Sequence, residues 1–164
     1  MSLKSIIWLG PVVFLIHDLE EVFWTQLWIE KNRFLFEDTR FERVIEAMGY
    51  QPAKFGLVVA LITILYGIIS YFATRQIQAG LSMNLYVSTI LILFANVFTH
   101  AGQTVLLGMY TPGVVTAVLV VLPYTVIAFR TLKAHYLLTR TTWKISPYMS
   151  VGMLAVIFGL MMAV

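Results

Sequence analysis

Hydrophobic positions in this chain gather into long runs. Residues 55–73, 114–129 and 148–164 contain no Asp, Glu, Lys or Arg, and residues 81–107 carry only His100 as a group able to take a charge near neutral pH. Each run is near or above the ~18 residues expected of a helix that crosses a membrane. A further run, residues 6–16, resumes as VFWTQLWI after a short polar interruption and ends in Trp24 and Trp28, whose rings suit the membrane interface. The pattern predicts an all-α polytopic membrane bundle with five transmembrane helices, at about 5–29, 53–74, 82–108, 112–138 and 147–164.

The breaks between runs carry helix signals. Gly49-Tyr50-Gln51-Pro52 combines a stop with a proline suited to a first turn, and Thr111-Pro112-Gly113 and Ser146-Pro147 mark two later starts. Pro123 is expected to kink the fourth helix, which extends past the membrane. In the first connection, Thr39 and Glu42 have capping-box spacing, and Phe41, Val44, Ile45 and Met48 recur at helical spacing. They predict a short amphipathic helix at about 39–48, lying in the interface as an anchor. Gly152 and Gly159, seven apart, are suited to close packing of helix five on a neighbour. No repeat or soluble second domain interrupts the chain, so residues 1–164 read as a single transmembrane domain.

Composition agrees: 60% of residues are hydrophobic, 12% are charged and the mean hydropathy is +0.86, too little polar material to coat a soluble core. Cysteine is absent, which excludes disulfides, thiolate nucleophiles and cysteine metal sites. The net charge of +3 sits in the connections, without a basic stripe interleaved with aromatics; membrane lipids are the expected partner, and nucleic acid is not. The uncharged turn MYTPG contrasts with the basic connection holding Arg130, Lys133, Arg140 and Lys144. That contrast predicts a cell-membrane protein with a cytoplasmic N-terminus. The N-terminal stretch lacks a small-x-small cleavage site and is read as part of a retained helix.

One stretch departs from this plan. His17, Asp18, Glu20 and Glu21 lie inside the first helix, where ionised groups are costly unless neutralised, and all the lysines and arginines lie in connections or at helix ends. At ~100° per residue, His17, Glu20, Glu21 and Trp24 share a face, with Asp18 at its edge. In the third helix Asn96, His100, Gln103 and Thr104 also share a face. Helices one and three run in the same direction, and counting rise from each start puts His100 level with Glu21 to Trp24, and Asn96 near Glu20.

Two imidazoles and several carboxylates suit Fe(II), Mn(II) or Zn(II), with His17, Glu20, Glu21 and His100 as the expected ligands. Asp18, Asn96, Gln103, Thr104 and Trp24 are expected to orient ligands or meet a substrate. An enzyme built on this site would act on a lipid-soluble molecule as a hydrolase or oxidoreductase, with His17, Glu20 and Glu21 as its catalytic groups. Other readings stay open. A metal-free site would use the same residues for proton transfer, as in an isomerase or cyclase. A small proton or ion transporter, working as a homo-oligomer, and an accessory subunit of a larger membrane complex are the others.

The run His17-Asp18-Leu19-Glu20-Glu21, early in a membrane helix, resembles the signature of the HXXEE domain family of small bacterial integral membrane proteins. The Asn96-x-x-x-His100 block is in keeping with that resemblance. It implies a membrane protein in which His17, Glu20 and Glu21 matter, and it implies no particular reaction.

Overall fold

The computed structural model describes residues 2–36 and 51–163. The described residues form long helices with no strand among them: α1 (Leu3–Lys31), α2 (Pro52–Arg75), α3 (Leu81–Leu107), α4 (Val114–Ala134) and α5 (Arg140–Ala163). The expected interfacial helix at 39–48 lies outside the described residues.

Four of these helices, α2 to α5, are long and apolar enough to cross a membrane, rather than the five expected. α1 has the length, 29 residues, but the ionisable stretch at its centre takes it out of that class. Two helix ends also differ from expectation. α5 starts at Arg140, not Pro147, because the Thr139 hydroxyl accepts from the Thr142 amide and so caps the helix well before the proline. α4 ends at Ala134 rather than near 138, because Tyr136 turns left-handed (φ 56°) and the Leu137 amide bonds back to the Leu132 carbonyl.

Side-chain contacts fix the directions of the helices. From α1 to α3 the pairs Ile6–Tyr86, His17–Asn96 and Glu21–His100 advance together, so the two helices are parallel. From α1 to α4 the pairs Ile6–Tyr124 and His17–Thr116 run oppositely, so those two are antiparallel. α3 is the best buried of the candidate spans and packs against α2, α4 and α5.

Hydrophobic burial does little to hold helices together in lipid, so close packing and interhelical polar contacts carry more of the work. On α3 and α5, Ser146 donates to the Asn84 carbonyl (3.1 Å), while the Ser88 hydroxyl is shared between the carbonyls of Asn84 (2.7 Å) and Ser146 (3.0 Å) and that of Ser150 between Ser146 (2.9 Å) and Ser88 (3.1 Å). This seam sits at Asn84 and Ser88, whereas the glycines expected to bring α5 close to a neighbour do not: a β-carbon at Gly152 or Gly159 would meet nothing within 4 Å.

At the other end of α1, Pro11 cannot donate to the Ile7 carbonyl. One residue earlier, the Ile6 carbonyl lies 3.4 Å from the Tyr86 hydroxyl and 3.3 Å from that of Tyr124; the two hydroxyls bond each other at 2.7 Å, which leaves one proton to donate to the carbonyl. Tyr66 and Tyr124 close over Gly10, where a β-carbon would stand 2.7 Å from Tyr66 Cζ and 2.8 Å from Tyr124 Oη. Gly10 therefore sets how closely α1 approaches α2 and α4. Gly10→Ala should lower the thermal unfolding midpoint in detergent, with a cost of about 1–3 kcal/mol for overpacking. Gly10→Ala/Tyr66→Phe should recover part of the loss; no recovery would mean that Tyr66 is not the obstruction.

Candidate metal centre

Nothing in the helix pattern of α1 alone brings its polar residues to a partner; the neighbours do that. His17 is fully buried and is held by both of them. Its Nδ1 lies 2.9 Å from Thr116 Oγ1 of α4, and its Nε2 lies 2.8 Å from Asn96 Nδ2 of α3. The hydrogen bonds of Thr116 decide the tautomer. Thr116 has one hydroxyl proton, and its shortest acceptor is Glu20 Oε2 at 2.6 Å. The hydroxyl must then accept from His17 Nδ1–H, which leaves a lone pair on Nε2. Asn96 fits that assignment, since its Nδ2 can donate to Nε2 while its Oδ1 lies 3.0 Å from the Thr99 hydroxyl, whose proton it shares with the Asn96 backbone carbonyl at 2.8 Å.

Around that Nε2 the other groups converge. Glu21 Oε1 is 3.5 Å from His17 Nε2 and 2.8 Å from His100 Nε2, and the two imidazole rings meet edge-on with centroids 4.9 Å apart. One ligand atom from each of His17, Glu21 and His100 lies within 4.8 Å of the others. Gly113 makes room for this. A β-carbon there would stand 2.5 Å from His100 Cε1 and 3.0 Å from Glu21 Oε1, and its φ of +89° already favours glycine. His100 Nδ1 is buried and has no hydrogen-bond partner among the described residues.

Glu20, expected among the ligands, is placed differently. Its Oε1 accepts from the Tyr110 hydroxyl at 2.7 Å, and its Oε2 accepts from both the amide (2.8 Å) and the hydroxyl of Thr116. It thus caps the first turn of α4, where exposed amides and the helix dipole favour a carboxylate. A helix-face argument put Glu20 and Glu21 together, but α1 is flanked by α3 and α4, and one carboxylate goes to each.

Of the remaining candidates, Asn96 reaches the site through His17, about a turn away from the Glu20 expected for it, in part because α1 begins at Leu3 rather than Ser5. Thr104 bonds the Thr111 hydroxyl (2.7 Å) and so tethers the connection between α3 and α4. Gln103 is exposed, and Trp24 lines a cavity of about 360 Å³ with Trp28, Lys31 and Tyr110, outside the ligand cluster. Asp18 Oδ2 is buried with no hydrogen-bond partner among the described residues.

Three contributors were not singled out from sequence. Tyr110 and Gly113 lie in the connection, and Thr116 in an apolar run, where a threonine carries no distinctive pattern. The available sign was the GMYTPG turn, whose Gly108 and Gly113 both take positive φ (63° and 89°). Directly after Thr116, residues Ala117–Val121 form a π-helical turn, a local widening often found beside functional sites.

With this geometry in view, a family model described as "Protein of unknown function with HXXEE motif" matches residues 8–128, and the chain belongs to that family. The matched span holds His17, Glu20, Glu21, Asn96, His100 and Thr116. No curated protein and no solved structure matches the chain.

Two outcomes follow from the connection. Gly113→Ala should destabilise the protein by about 1–3 kcal/mol through strain and overlap with His100, whereas Gly108→Ala, with open space around it, should cost less. Equal shifts in thermal midpoint would mean that His100 is not pressed against Gly113. The Tyr110 phenol is pushed well above its usual range, first by burial and then by its hydrogen bond to the Glu20 carboxylate. A raised pKa in the folded state means that this contact is fully present below ~10 and is lost only as pH climbs through the raised value. Tyrosinate absorbance should therefore titrate identically in wild type and Tyr110→Phe up to the ordinary tyrosine range. A missing step in the variant would place Tyr110 outside the bond to Glu20.

Proposed function

We propose that this HXXEE-family membrane protein holds a divalent metal ion between His17, Glu21 and His100 and uses it on a lipid-soluble substrate. The convergence of those three ligand atoms within 4.8 Å, contributed by two different helices, carries the proposal. Bonds of about 2.1 Å in a tetrahedral arrangement need ligand atoms roughly 3.4 Å apart. The 3.5 Å and 2.8 Å separations from Glu21 Oε1 need only small side-chain adjustments to meet that spacing.

Two imidazoles and one carboxylate are a donor set for Fe(II), Mn(II) or Zn(II), and three protein ligands leave further positions open. An ion held there would polarise a substrate carbonyl or lower the pKa of a water. The chain's own residues prepare the site. Glu20 accepts from the Thr116 hydroxyl, Thr116 accepts from His17 Nδ1–H, and His17 Nε2 keeps a lone pair 3.5 Å from Glu21 Oε1. Such outer hydrogen bonds fix ring orientation and raise ligand basicity. Asn96 Nδ2 shields this lone pair and must turn aside when a ligand takes it. The apolar helices around the site favour a substrate arriving from the bilayer over a polar one from water.

One observation favours a second reading. The 2.8 Å contact between His100 Nε2 and Glu21 Oε1 is already a complete acid–base pair, suited to metal-free proton transfer on the same class of substrate.

Elemental analysis decides between them. Protein purified in mild detergent without chelator should carry a near-stoichiometric divalent metal, lost in Glu21→Gln and His100→Ala. Glu20→Gln and Thr116→Val should still bind it, with affinity reduced about 10–100-fold, because they act through His17. Wild-type protein that stays empty on titration with Fe(II), Mn(II) and Zn(II) would remove the metal and leave proton transfer.

A further inference from the structure

The faces of α1, α2, α3 and α5 enclose a groove of about 420 Å³ that the metal centre does not use. Its walls are almost wholly apolar, with Phe14, Ile62, Leu65, Leu93, Gly152 and Met153 among them. Along α5 it reaches from Met149 to Leu160, which at 1.5 Å per residue is roughly 16 Å. That is a long, narrow space in the membrane-spanning part of the bundle, shaped for a chain rather than a compact ring system.

Two features point to a ligand rather than to loose packing. The first is register. Phe14 lies three residues before His17 and four before Asp18 on α1, and Leu93 lies three before Asn96 on α3. The groove therefore ends about one helical turn, roughly 5 Å, from the side chains around the metal centre. Asp18, whose buried Oδ2 has no hydrogen bond among the described residues, stands on that turn and is able to meet a polar head. The second feature is Gly152. It lines the groove, yet a β-carbon there would meet nothing within 4 Å. The helix is held off its neighbours at this glycine, so what the missing side chain leaves is room.

We infer that the groove seats the polymethylene chain of a membrane lipid whose polar head reaches His17, Glu21 and His100. This rests on the reading of those residues as the reaction centre, and it narrows the substrate class to long-chain lipids with a hydrogen-bonding head. Bilayer lipids are at hand throughout the spans, and a groove of this length, with almost no polar surface along its walls, matches an extended acyl chain.

The test uses a long-chain fatty acid with a diazirine in its chain, photolysed with the full-length protein in detergent and mapped by peptide mass spectrometry. Labelling should concentrate on Ile62, Leu93 and their groove neighbours. It should fall severalfold in Gly152→Phe, which fills the groove, and in Leu65→Trp, which fills it from the opposite wall. Gly159→Phe, also on α5 with open space but outside the groove, should leave it unchanged. Label spread evenly over the exposed faces of the helices, and insensitive to both filling variants, would overturn the assignment. Metal content measured on the same samples keeps the two readings apart. Filled variants that keep their metal and lose the label confirm the groove. A metal-free wild type that still labels there would remove the metal reading while supporting the groove.

Discussion

The cost of placing ionisable side chains among apolar helices governs this structure. Within a membrane-like interior a polar atom without a partner is expensive, and α1 carries a histidine and three carboxylates in five consecutive positions. The bundle answers with two neighbours that bring different chemistry. α4 offers the amide and hydroxyl of Thr116, with the Tyr110 phenol just before it, and these take Glu20. α3 offers an amide and an imidazole, which take His17 and Glu21. The placement of three helices follows from partnering His17, Glu20 and Glu21 in one short stretch of one of them, while Asp18 Oδ2 has no hydrogen bond among the described residues.

The two carboxylates of the motif consequently do different jobs although they are adjacent. Glu20 is consumed in binding a helix start, and through Thr116 it sets the proton position on His17. Glu21 is left facing both imidazoles. The connection before α4 makes this division work, since Gly113 gives His100 its space and the left-handed turns at both ends of the loop bring Tyr110 back over α1. Trp28 reinforces the same closure by donating to the Tyr110 carbonyl at 2.6 Å. A loop with no charge of its own thus completes the polar site.

Away from the site, the contacts that hold the helices are small and repeated. The serine seam between α3 and α5 uses hydroxyls bonded to the neighbouring helix's carbonyls, and the tyrosines over Gly10 treat the proline-bearing turn of α1 the same way. Both devices let helices approach closely where lipid gives no hydrophobic reward for association. Where neither operates, along the outer half of α5, the helices stay apart and the groove opens.

Much was legible in the sequence because the physics concerned is local. Apolar runs reveal spans, since every residue of a lipid-facing helix must tolerate hydrocarbon. His17, Glu20, Glu21 and His100 stand out because ionisable groups are so poorly tolerated there. The parallel course of α1 and α3 followed from counting connections. Tertiary structure decided what depends on neighbours distant in the chain. It assigned Glu20 to α4 and Glu21 to α3, because each carboxylate bonds whatever donor faces it, and residue spacing on α1 cannot say which helix stands on which side. It made Thr116 and Gly113 part of the site, because a hydroxyl and a missing side chain acquire meaning only from the atoms placed against them. It also left open the space at Gly152, where a glycine spacing read as close packing met no neighbour, since a spacing states what a surface permits and only the partner's position decides whether it is used.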